Sequence, residues 1–251
     1  MSEIYQVLIF STIGGIFSLI GGFLILKFGP NAEKISQYVA PFAAGSLLAA
    51  AFLDLLKESA EGGHYNQGLT GALGGILLFF ILERFFSWFH HHHQHDHDVM
   101  KDPKVSMIVV GDTLHNLIDG LAMGAAFLVN PQVGIVTALA VAAHEIPQEI
   151  GDFGLLLSKG MARKKVAIVN ILSALVSVVA ACGVFLLGQN TELNLAPLLG
   201  LVAGMFIYIA VSDIIPEIHH TSSKKIVNIS TLMLLLGVTL VSILSLSLHH
   251  G

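Results

Sequence analysis

The chain has 251 residues, of which 54% are hydrophobic and 12% are charged, and its formal net charge is −5. A soluble domain carries about 25% charged residues, so this composition excludes an ordinary soluble domain and indicates a helical integral membrane protein. The apolar residues come in runs of about 20, the length of a membrane-spanning helix, whereas the strands of a membrane barrel alternate over about 10 residues.

Eight membrane-spanning helices are predicted from hydropathy, and together they fill the chain as one transmembrane domain over residues 1–251. Each predicted span can cross about 30 Å of hydrocarbon at about 1.5 Å per residue. The first is expected to be retained rather than cleaved as a signal peptide, because it has no basic region before it and no small-residue cleavage site. The predicted spans cover residues 5–27, 36–57, 67–88, 105–129, 133–157, 165–188, 194–217 and 226–248.

The twelve lysines and arginines predict the orientation of the chain in the membrane. Eleven of them flank the odd-numbered loops between spans, and only Lys57 flanks an even-numbered loop. Cytoplasmic loops of membrane proteins carry the excess of basic residues. We therefore expect the odd-numbered loops in the cytoplasm and both termini on the extracellular or periplasmic side.

Two acidic pairs near the ends of spans 2 and 7 share one pattern. Span 2 ends in DLLKE, with Asp54 and Glu58, and span 7 ends in DIIPE, with Asp213 and Glu217. By the predicted orientation the pairs lie on opposite sides of the membrane, as expected of an inverted repeat. We interpret the span 2 pair as the entrance of a pathway and the span 7 pair as its exit. Carboxylates that only cap helix ends at the membrane interface remain the alternative.

A histidine-rich tract, HHHHQHDHD, occupies residues 90–98 of the third predicted loop, which covers residues 89–104. Its composition is typical of a metal-binding tract. Because it has no fixed ligand spacing, any binding is expected to be loose, and the cytoplasmic side favours capture of arriving metal. A solvated loop without a role in transport remains the alternative. The candidate ligands are His90, His91, His92, His93, His95 and His97.

Spans 4 and 5 each contain a polar cluster near the middle of the membrane. Span 4 reads GDTLHNLIDG and span 5 reads HEIPQEIGD, although a charged residue there costs about 2.5–3.5 kcal/mol. In both spans a histidine, its neighbour and the residue four positions after the histidine are polar, which places them toward one helix face. The candidate metal ligands are His115, Asn116 and Asp119 in span 4 and His144, Glu145 and Gln148 in span 5, with Glu149 as a further candidate.

The mixture of imidazole and carboxylate groups indicates the kind of metal. It suits borderline divalent ions such as Zn²⁺ and Fe²⁺, whereas Ca²⁺ and Mg²⁺ prefer oxygen ligands alone. Hydrogen bonding across helices without a metal remains open. So does an intramembrane zinc protease, since the stretch departs from HExxH only at Gln148 and span 4 could donate His115 or Asp119 as the third protein ligand that catalytic zinc needs.

Pro147 lies inside the polar stretch of span 5. Its missing N–H leaves the carbonyl of Ala143 without its helical partner. Irregular backbone at membrane depth is tolerated where it lines a cavity or is buried in protein. Pro147 is therefore expected either to open a cavity beside His144 or only to bend a packed helix, and the two effects are compatible.

HNLIDG at 115–120 followed by HEIPQEIGD at 144–152, with the histidine-rich loop between spans 3 and 4, resembles the ZIP (Zrt/Irt-like) metal transporters. The span 5 motif is most similar to the subgroup signature HEXPHEXGD. The resemblance implies a prokaryotic-type short form in the plasma membrane that imports Zn²⁺, with Fe²⁺, Mn²⁺ and Cd²⁺ as further candidates. It also implies a 3+2+3 arrangement, in which spans 1–3 and 6–8 are inverted repeats around spans 4 and 5.

The resemblance further implies roles for the individual ligands. One metal would be held by His115, Asp119, His144 and Gln148, and a second would lie among Asn116, Asp119, Glu145 and Gln148, with Asp119 bridging. Asn170 of span 6 lies near where the family sometimes adds a ligand, and Asp213 where it has an acidic residue on the inner path. Gln148 replaces the subgroup's histidine by a neutral, weaker ligand, so we expect one firm site and a second that is weak or absent.

The remaining expectations concern coupling and partners. No P-loop motif occurs, so transport is expected to run on the gradient without ATP. Because the chain is interpreted as a transporter, it is not expected to be an enzyme. No resident cofactor is expected. The expected partners are divalent metal ions, the lipid bilayer and, as a candidate assembly, a second copy of the chain, but no nucleic acid. An exporter with a histidine-rich loop and a metal sensor without transport are further alternatives that fit the spans and acidic pairs less well.

Overall fold

A computed structural model describes residues 3–29, 31–60, 64–89, 103–189, 194–216 and 224–249. In these ranges the chain is helical and has no strand. We number the helices α1 to α8. Their bounds are α1, Glu3–Gly15, Phe17–Leu19 and Ile20–Phe28; α2, Asn31–Ala49, Ala50–Leu55 and Leu56–Ala60; α3, Tyr65–Phe89; α4, Pro103–Val129; α5, Pro131–Ser158; α6, Arg163–Gly188; α7, Ala196–Tyr208 and Ile209–Ile214; and α8, Lys224–His249.

Five of the described helices are long and apolar enough to cross a membrane, and they belong to α1, α2, α3, α6 and α8. The apolar part of α7, Ala196–Ser212, is shorter. The other two helices, α4 and α5, carry the polar clusters predicted above, which lower their apolar character. The two helices that carry the candidate ligands are therefore not among the five. Eight membrane spans remain a prediction.

Helix α5 lies at the centre of the fold and contacts α1, α2, α4, α6 and α8. Its polar residues are consequently surrounded by protein. The helix continues through Pro147 without a break. A Cβ on Gly21 of α1 would lie 2.2 Å from the carbonyl oxygen of Ile146, so α1 packs backbone to backbone beside the proline. This stretch of α5 is thus buried in protein, one of the two settings in which a proline at membrane depth is tolerated.

The helix contacts repeat within the fold. The most extensive pairings are α2 with α8, α3 with α7, α4 with α6, and α1 with α5. The pairings are related by an exchange of α1 with α6, α2 with α7, α3 with α8 and α4 with α5. Under this exchange the α2–α8 pairing becomes the α3–α7 pairing, and the α4–α6 pairing becomes the α1–α5 pairing. This is the pattern of pairings expected of two related triplets of helices around a central pair.

Two π-helical turns occupy matching places in α2 and α7. They span Ala50–Leu55 and Ile209–Ile214, so that Asp54 and Asp213 are each the fifth residue of a π turn. Asp54 and Asp213, the first residues of the two acidic patterns, therefore share a local backbone as well as a sequence pattern. Inserted π turns inside α-helices are rare and are found mostly at functional sites.

Paired glycines bring the backbones of these helices together. A Cβ on Gly45 would lie 2.1 Å from the carbonyl oxygen of Leu234, and a Cβ on Gly237 would lie 2.1 Å from that of Phe42. The α3–α7 pair repeats this geometry: a Cβ on Gly75 would lie 2.0 Å from the oxygen of Leu201, and one on Gly204 would lie 2.0 Å from that of Ala72. Only glycine permits such approach in membrane helix pairs.

We expect Gly75→Ala to lower the melting temperature of the purified protein, because the added methyl group meets a backbone carbonyl that cannot move aside. Overpacking of this kind costs about 1–3 kcal/mol. Gly74→Ala is the matched control, since a Cβ there has no neighbour within 4 Å. Thermal unfolding in detergent, followed by size-exclusion chromatography of the heated samples, measures both. Equal melting temperatures for the two variants would contradict backbone contact between α3 and α7.

Candidate metal centre

The candidate site begins with the connection between α4 and α5. Asn130 is the one residue between the two helices, and its side-chain oxygen accepts the N–H of Val133 at 2.8 Å, which caps α5 with Pro131 in its first turn. A connection of this length makes α4 and α5 antiparallel neighbours. His115 and His144 lie at nearly equal distances along the chain from Asn130, so the polar stretches of both helices meet at one level.

Four side chains converge between α4 and α5. They are His115, Asp119, His144 and Glu145, and one nitrogen or oxygen atom of each lies within 4.8 Å of the others. The Nε2 atom of His144 lies 3.1 Å from Asp119 Oδ2, 3.2 Å from His115 Nε2 and 3.7 Å from Glu145 Oε1. The Nε2 atom of His115 lies 3.5 Å from Glu145 Oε1 and 3.8 Å from Asp119 Oδ2.

This four-residue cluster is shielded from solvent. Asp119, His144 and Glu145 are buried, whereas the side chain of His115 keeps 14% of its surface exposed. Two carboxylates in such surroundings are strongly desolvated, and their charge is costly unless a cation offsets it. The donor set, two imidazole nitrogens and two carboxylates, is one that Zn²⁺ accepts. The arrangement can therefore hold a divalent ion.

Neighbouring groups fix the orientation of both histidine rings. Nδ1 of His144 lies 3.2 Å from the carbonyl oxygen of Ala140, which directs Nε2 toward the cluster. Orientation of an imidazole through its second nitrogen is usual at metal sites. The ring of Phe206 meets His144 edge-on, with 6.0 Å between the ring centroids. The ring of Phe79 meets His115 in the same way, with 5.6 Å between the centroids. Helices α7 and α3 thus contribute an aromatic wall.

The structure places the other candidate ligands in different surroundings. Asn116 is buried and faces α6, because its Nδ2 donates to Asp112 Oδ1 at 3.0 Å and to Ser173 Oγ at 3.2 Å. Gln148 lies one turn beyond His144 and is partly exposed. Three buried side chains, Asn116, Glu149 and Asn170, keep oxygen atoms that have no hydrogen-bond partner among the described residues. None of these three belongs to the four-residue cluster.

The predicted pathway residues are described only in part. Asp54 is buried and accepts a hydrogen bond from the Ser245 hydroxyl of α8 at 2.7 Å. Glu58 accepts from Asn130 Nδ2 at 3.4 Å, which places it beside the α4–α5 connection. The Asp213 backbone lies in the π turn of α7. The Asp213 side chain, Glu217 and the histidines of residues 90–97 lie outside the described residues.

Several contacts of the site were not predicted from the sequence. Ser173 joins α6 to α4 through Asn116, and Phe79 and Phe206 flank the histidines. A serine or phenylalanine in an apolar span carries no signal by itself. Asp112 and Asp152 are visible in the sequence as charged residues in the polar stretches of α4 and α5. They were given no role, because they do not fit the spacing shared by the two histidine motifs.

Comparison with known proteins identifies related sequences. A family model described as ZIP Zinc transporter matches residues 4–106 and 102–245. Zinc transporter ZIP10 of Danio rerio is 41% identical over 130 residues, 50% of this chain and 15% of that protein. Zinc transporter ZIP6 of Homo sapiens is 38% identical over 139 residues, 53% of this chain and 18% of that protein.

A relative named as a metal cation symporter is also similar. Metal cation symporter ZIP8 of Rattus norvegicus is 37% identical over 134 residues, which are 51% of this chain and 29% of that protein. The matched segments thus span less than a third of each of these three relatives.

Proposed function

The chain belongs to the ZIP zinc transporter family, and on that premise we propose that it imports Zn²⁺ into the cytoplasm through the four-residue cluster between α4 and α5. It is an integral membrane protein. The family consists of transporters, which is consistent with the expectation that the protein is not an enzyme. The observation that carries the proposal is the convergence of His115, Asp119, His144 and Glu145 from two adjacent helices. Fe²⁺, Mn²⁺ and Cd²⁺ are further candidate substrates.

The proposed topology has eight spans in a 3+2+3 arrangement, with both termini outside and the histidine-rich loop of residues 89–104 in the cytoplasm. Eleven of twelve basic residues at odd-numbered loops support the orientation. The repeated helix pairings and the two π turns support the inverted repeat. We propose one transmembrane domain over residues 1–251 and a homodimer as a candidate assembly.

The proposed location is the plasma membrane, and HEIPQEIGD supports the HEXPHEXGD subgroup. The relatives named above are animal proteins, so a prokaryotic short form rests on the motif resemblance alone.

The membrane potential is sufficient to drive import. A divalent ion that moves inward across about 100 mV, negative inside, gains about 2 × 2.3 kcal/mol. The proposed path runs from Glu58, beside the α4–α5 connection, and Asp54 to the four-residue cluster, and then toward Asp213 and Glu217. In this proposal the histidines of residues 90–97 capture the ion after release.

Uptake by purified protein in liposomes tests the proposal. The liposomes contain a metal-sensitive dye, and Zn²⁺ added outside is expected to raise its signal faster than in protein-free liposomes. Deletion of residues 90–98 is expected to alter the rate without abolishing uptake. Peptide cleavage without metal uptake would support the intramembrane protease alternative, for which family membership gives no support.

We also propose that Gln148 keeps metal binding weak enough for release, with one firm ion and a second weak or absent one. Gln148→His adds an imidazole four residues after His144 on the same face of α5. It is expected to lower the half-saturating Zn²⁺ concentration about tenfold and to slow maximal uptake, since conduction requires that a bound ion can leave.

Gln132→His is the matched control for this variant, because it makes the same substitution near the start of α5, twelve residues before His144. Its uptake kinetics should equal those of the unmodified protein. If Gln148→His leaves both kinetic constants unchanged, Gln148 is not a ligand. Two tight sites of equal affinity in a metal titration of the unmodified protein would contradict the single firm site.

A further inference from the structure

The two histidines of the four-residue cluster are held in different ways. Nδ1 of His144 lies 3.2 Å from the carbonyl oxygen of Ala140, so the ring is held by its own helix. The polar contacts of His115 all use Nε2, and no described residue gives Nδ1 of this ring a hydrogen bond. The His115 side chain also keeps 14% of its surface exposed. Its orientation therefore depends on the groups that pack against the ring.

Phe79 of α3 is the aromatic residue that packs against His115. The two ring centroids are 5.6 Å apart, and the ring planes are nearly perpendicular, at 84°. This is the edge-to-face arrangement that aromatic pairs prefer. Phe79 is itself partly buried against the apolar core. The phenyl ring therefore limits rotation of the imidazole, which keeps Nε2 of His115 directed toward the cluster.

Phe79 is held in place by a residue of α7. Its ring centroid lies 5.8 Å from that of Tyr208, at an interplanar angle of 49°. The Tyr208 hydroxyl donates a hydrogen bond to a carboxylate oxygen of Glu83. Glu83 follows Phe79 by four residues, so the two side chains lie on one face of α3. Helix α3 thus contacts Tyr208 at two points, the ring through Phe79 and the hydroxyl through Glu83.

Helix α7 supports both histidines of the cluster. Tyr208 is the last residue of α7 before its π turn, and Phe206 lies two residues earlier. Helix α7 reaches His144 directly, through the edge-on contact with Phe206. It reaches His115 indirectly, through Tyr208 and Phe79. The imidazoles of α4 and α5 are consequently oriented in part by helices that contribute no ligand to the cluster.

The orientation of His115 bears on which ion the cluster prefers. Imidazole strengthens the binding of Zn²⁺, whereas Mn²⁺ favours oxygen ligands. With His115 turned away, the cluster would keep the carboxylates of Asp119 and Glu145 but only one imidazole. Zn²⁺ would then lose affinity, and Mn²⁺ would lose little. Side chains that orient a metal-binding histidine change metal affinity by about 10- to 100-fold.

We propose that Phe79 is a positioning residue for His115 and thereby sets the preference of the four-residue cluster for Zn²⁺ over Mn²⁺. Tyr208 and Glu83 hold Phe79 in place. The proposal rests on the metal binding that is part of the proposed function, but it does not rest on uptake. Phe79 acts through the imidazole and is not a ligand.

Metal binding to the full chain in lipid nanodiscs tests the proposal. Zn²⁺ binding is measured by competition with a chromophoric chelator, and Mn²⁺ binding by the loss of its free paramagnetic resonance signal. Phe79→Leu removes the ring and keeps an apolar side chain, so it is expected to weaken Zn²⁺ binding about tenfold and to change Mn²⁺ binding by less than about twofold. Phe79→Tyr keeps the ring and is expected to bind Zn²⁺ like the unmodified protein. Phe80→Leu is the matched control, because Phe80 is the next residue of α3 and is 48% exposed.

A double-mutant cycle separates positioning of His115 from a general loosening of the fold. In a His115→Ala background there is no imidazole to position, so Phe79→Leu is expected to cause no further change in Zn²⁺ binding. Tyr208→Leu is expected to weaken Zn²⁺ binding in the same direction as Phe79→Leu, since it removes the ring that holds Phe79. The histidines of residues 90–97 are present in every variant, so the metal that they bind cancels in the comparison.

Unchanged Zn²⁺ binding in the Phe79→Leu variant would overturn the proposal. An equal loss of Zn²⁺ and Mn²⁺ binding would do the same, as would a loss that persists in the His115→Ala background, because each would indicate a role in folding rather than in orientation. In liposomes, failure of the unmodified protein to take up Zn²⁺ would refute the proposed import. The double-mutant cycle would still decide the role of Phe79.

Discussion

Uptake of Zn²⁺ is expected to fall at least about 100-fold when His144 is replaced by alanine. The Nε2 atom of His144 contacts all three other members of the four-residue cluster, at 3.1 Å from Asp119 Oδ2, 3.2 Å from His115 Nε2 and 3.7 Å from Glu145 Oε1. Its removal takes away one of the two imidazoles and leaves His115 with two carboxylates, a set that holds Zn²⁺ less firmly. The initial rate of dye response in liposomes, at several Zn²⁺ concentrations, measures the loss.

His64→Ala is the control for this experiment, because His64 is exposed just before α3 and is assigned no role. It should transport like the unmodified protein. The His144→Ala protein must also elute as a single species after purification, so that lost uptake is not lost folding. Normal uptake by a folded His144→Ala variant would show that the metal does not pass between α4 and α5 at this point.

Asp119→Asn is expected to reduce uptake by a similar factor, about 100-fold, although it preserves the shape of the side chain. Asparagine can still hydrogen-bond to His144, but it removes one of the two negative charges that offset the ion. The substitution therefore separates metal binding from hydrogen bonding across helices, the alternative that the sequence left open. A purely structural contact between Asp119 and His144 would tolerate the amide.

Thermal stability provides the second measurement for Asp119→Asn. A bound ion stabilises the folded state by RT ln(1 + [L]/Kd), so Zn²⁺ should raise the melting temperature of the unmodified protein and not that of the variant. Without metal, the variant should be at least as stable, because it relieves the repulsion between Asp119 and Glu145. A Zn²⁺-dependent shift equal to that of the unmodified protein would remove Asp119 from the ligand set.

The helices were largely predictable, because long apolar runs and their polar ends are local signals. Residues 133–157 and 165–188 were predicted as spans, and the structure has helices at Pro131–Ser158 and Arg163–Gly188. The 3₁₀ turn at Phe17–Leu19 interrupts α1 within a continuous apolar run, and hydropathy carries no information on it. Hydropathy carries no information on the two π turns either, although the acidic pattern shared by α2 and α7 is visible in the sequence.

The sequence predicts which candidate ligands lie together when they share one face of a helix. His115 and Asp119 are four residues apart and meet the same cluster, as the spacing indicated. Asn116 was grouped with them, yet consecutive residues of a helix point about 100° apart. Its amide nitrogen consequently faces Ser173 of α6. The sequence could not supply this contact, because it depends on which helix packs behind α4.

The short connection at Asn130 also determines the order in which the protein can assemble. All four clustered ligands lie between His115 and Glu145, so the ribosome delivers them within about 2–6 seconds at 5–20 residues per second. The pairings of α2 with α8 and of α3 with α7 instead join segments more than 100 residues apart. The ligand-bearing hairpin can therefore form early in synthesis, whereas the surrounding helices close around it only after α7 and α8 have been made.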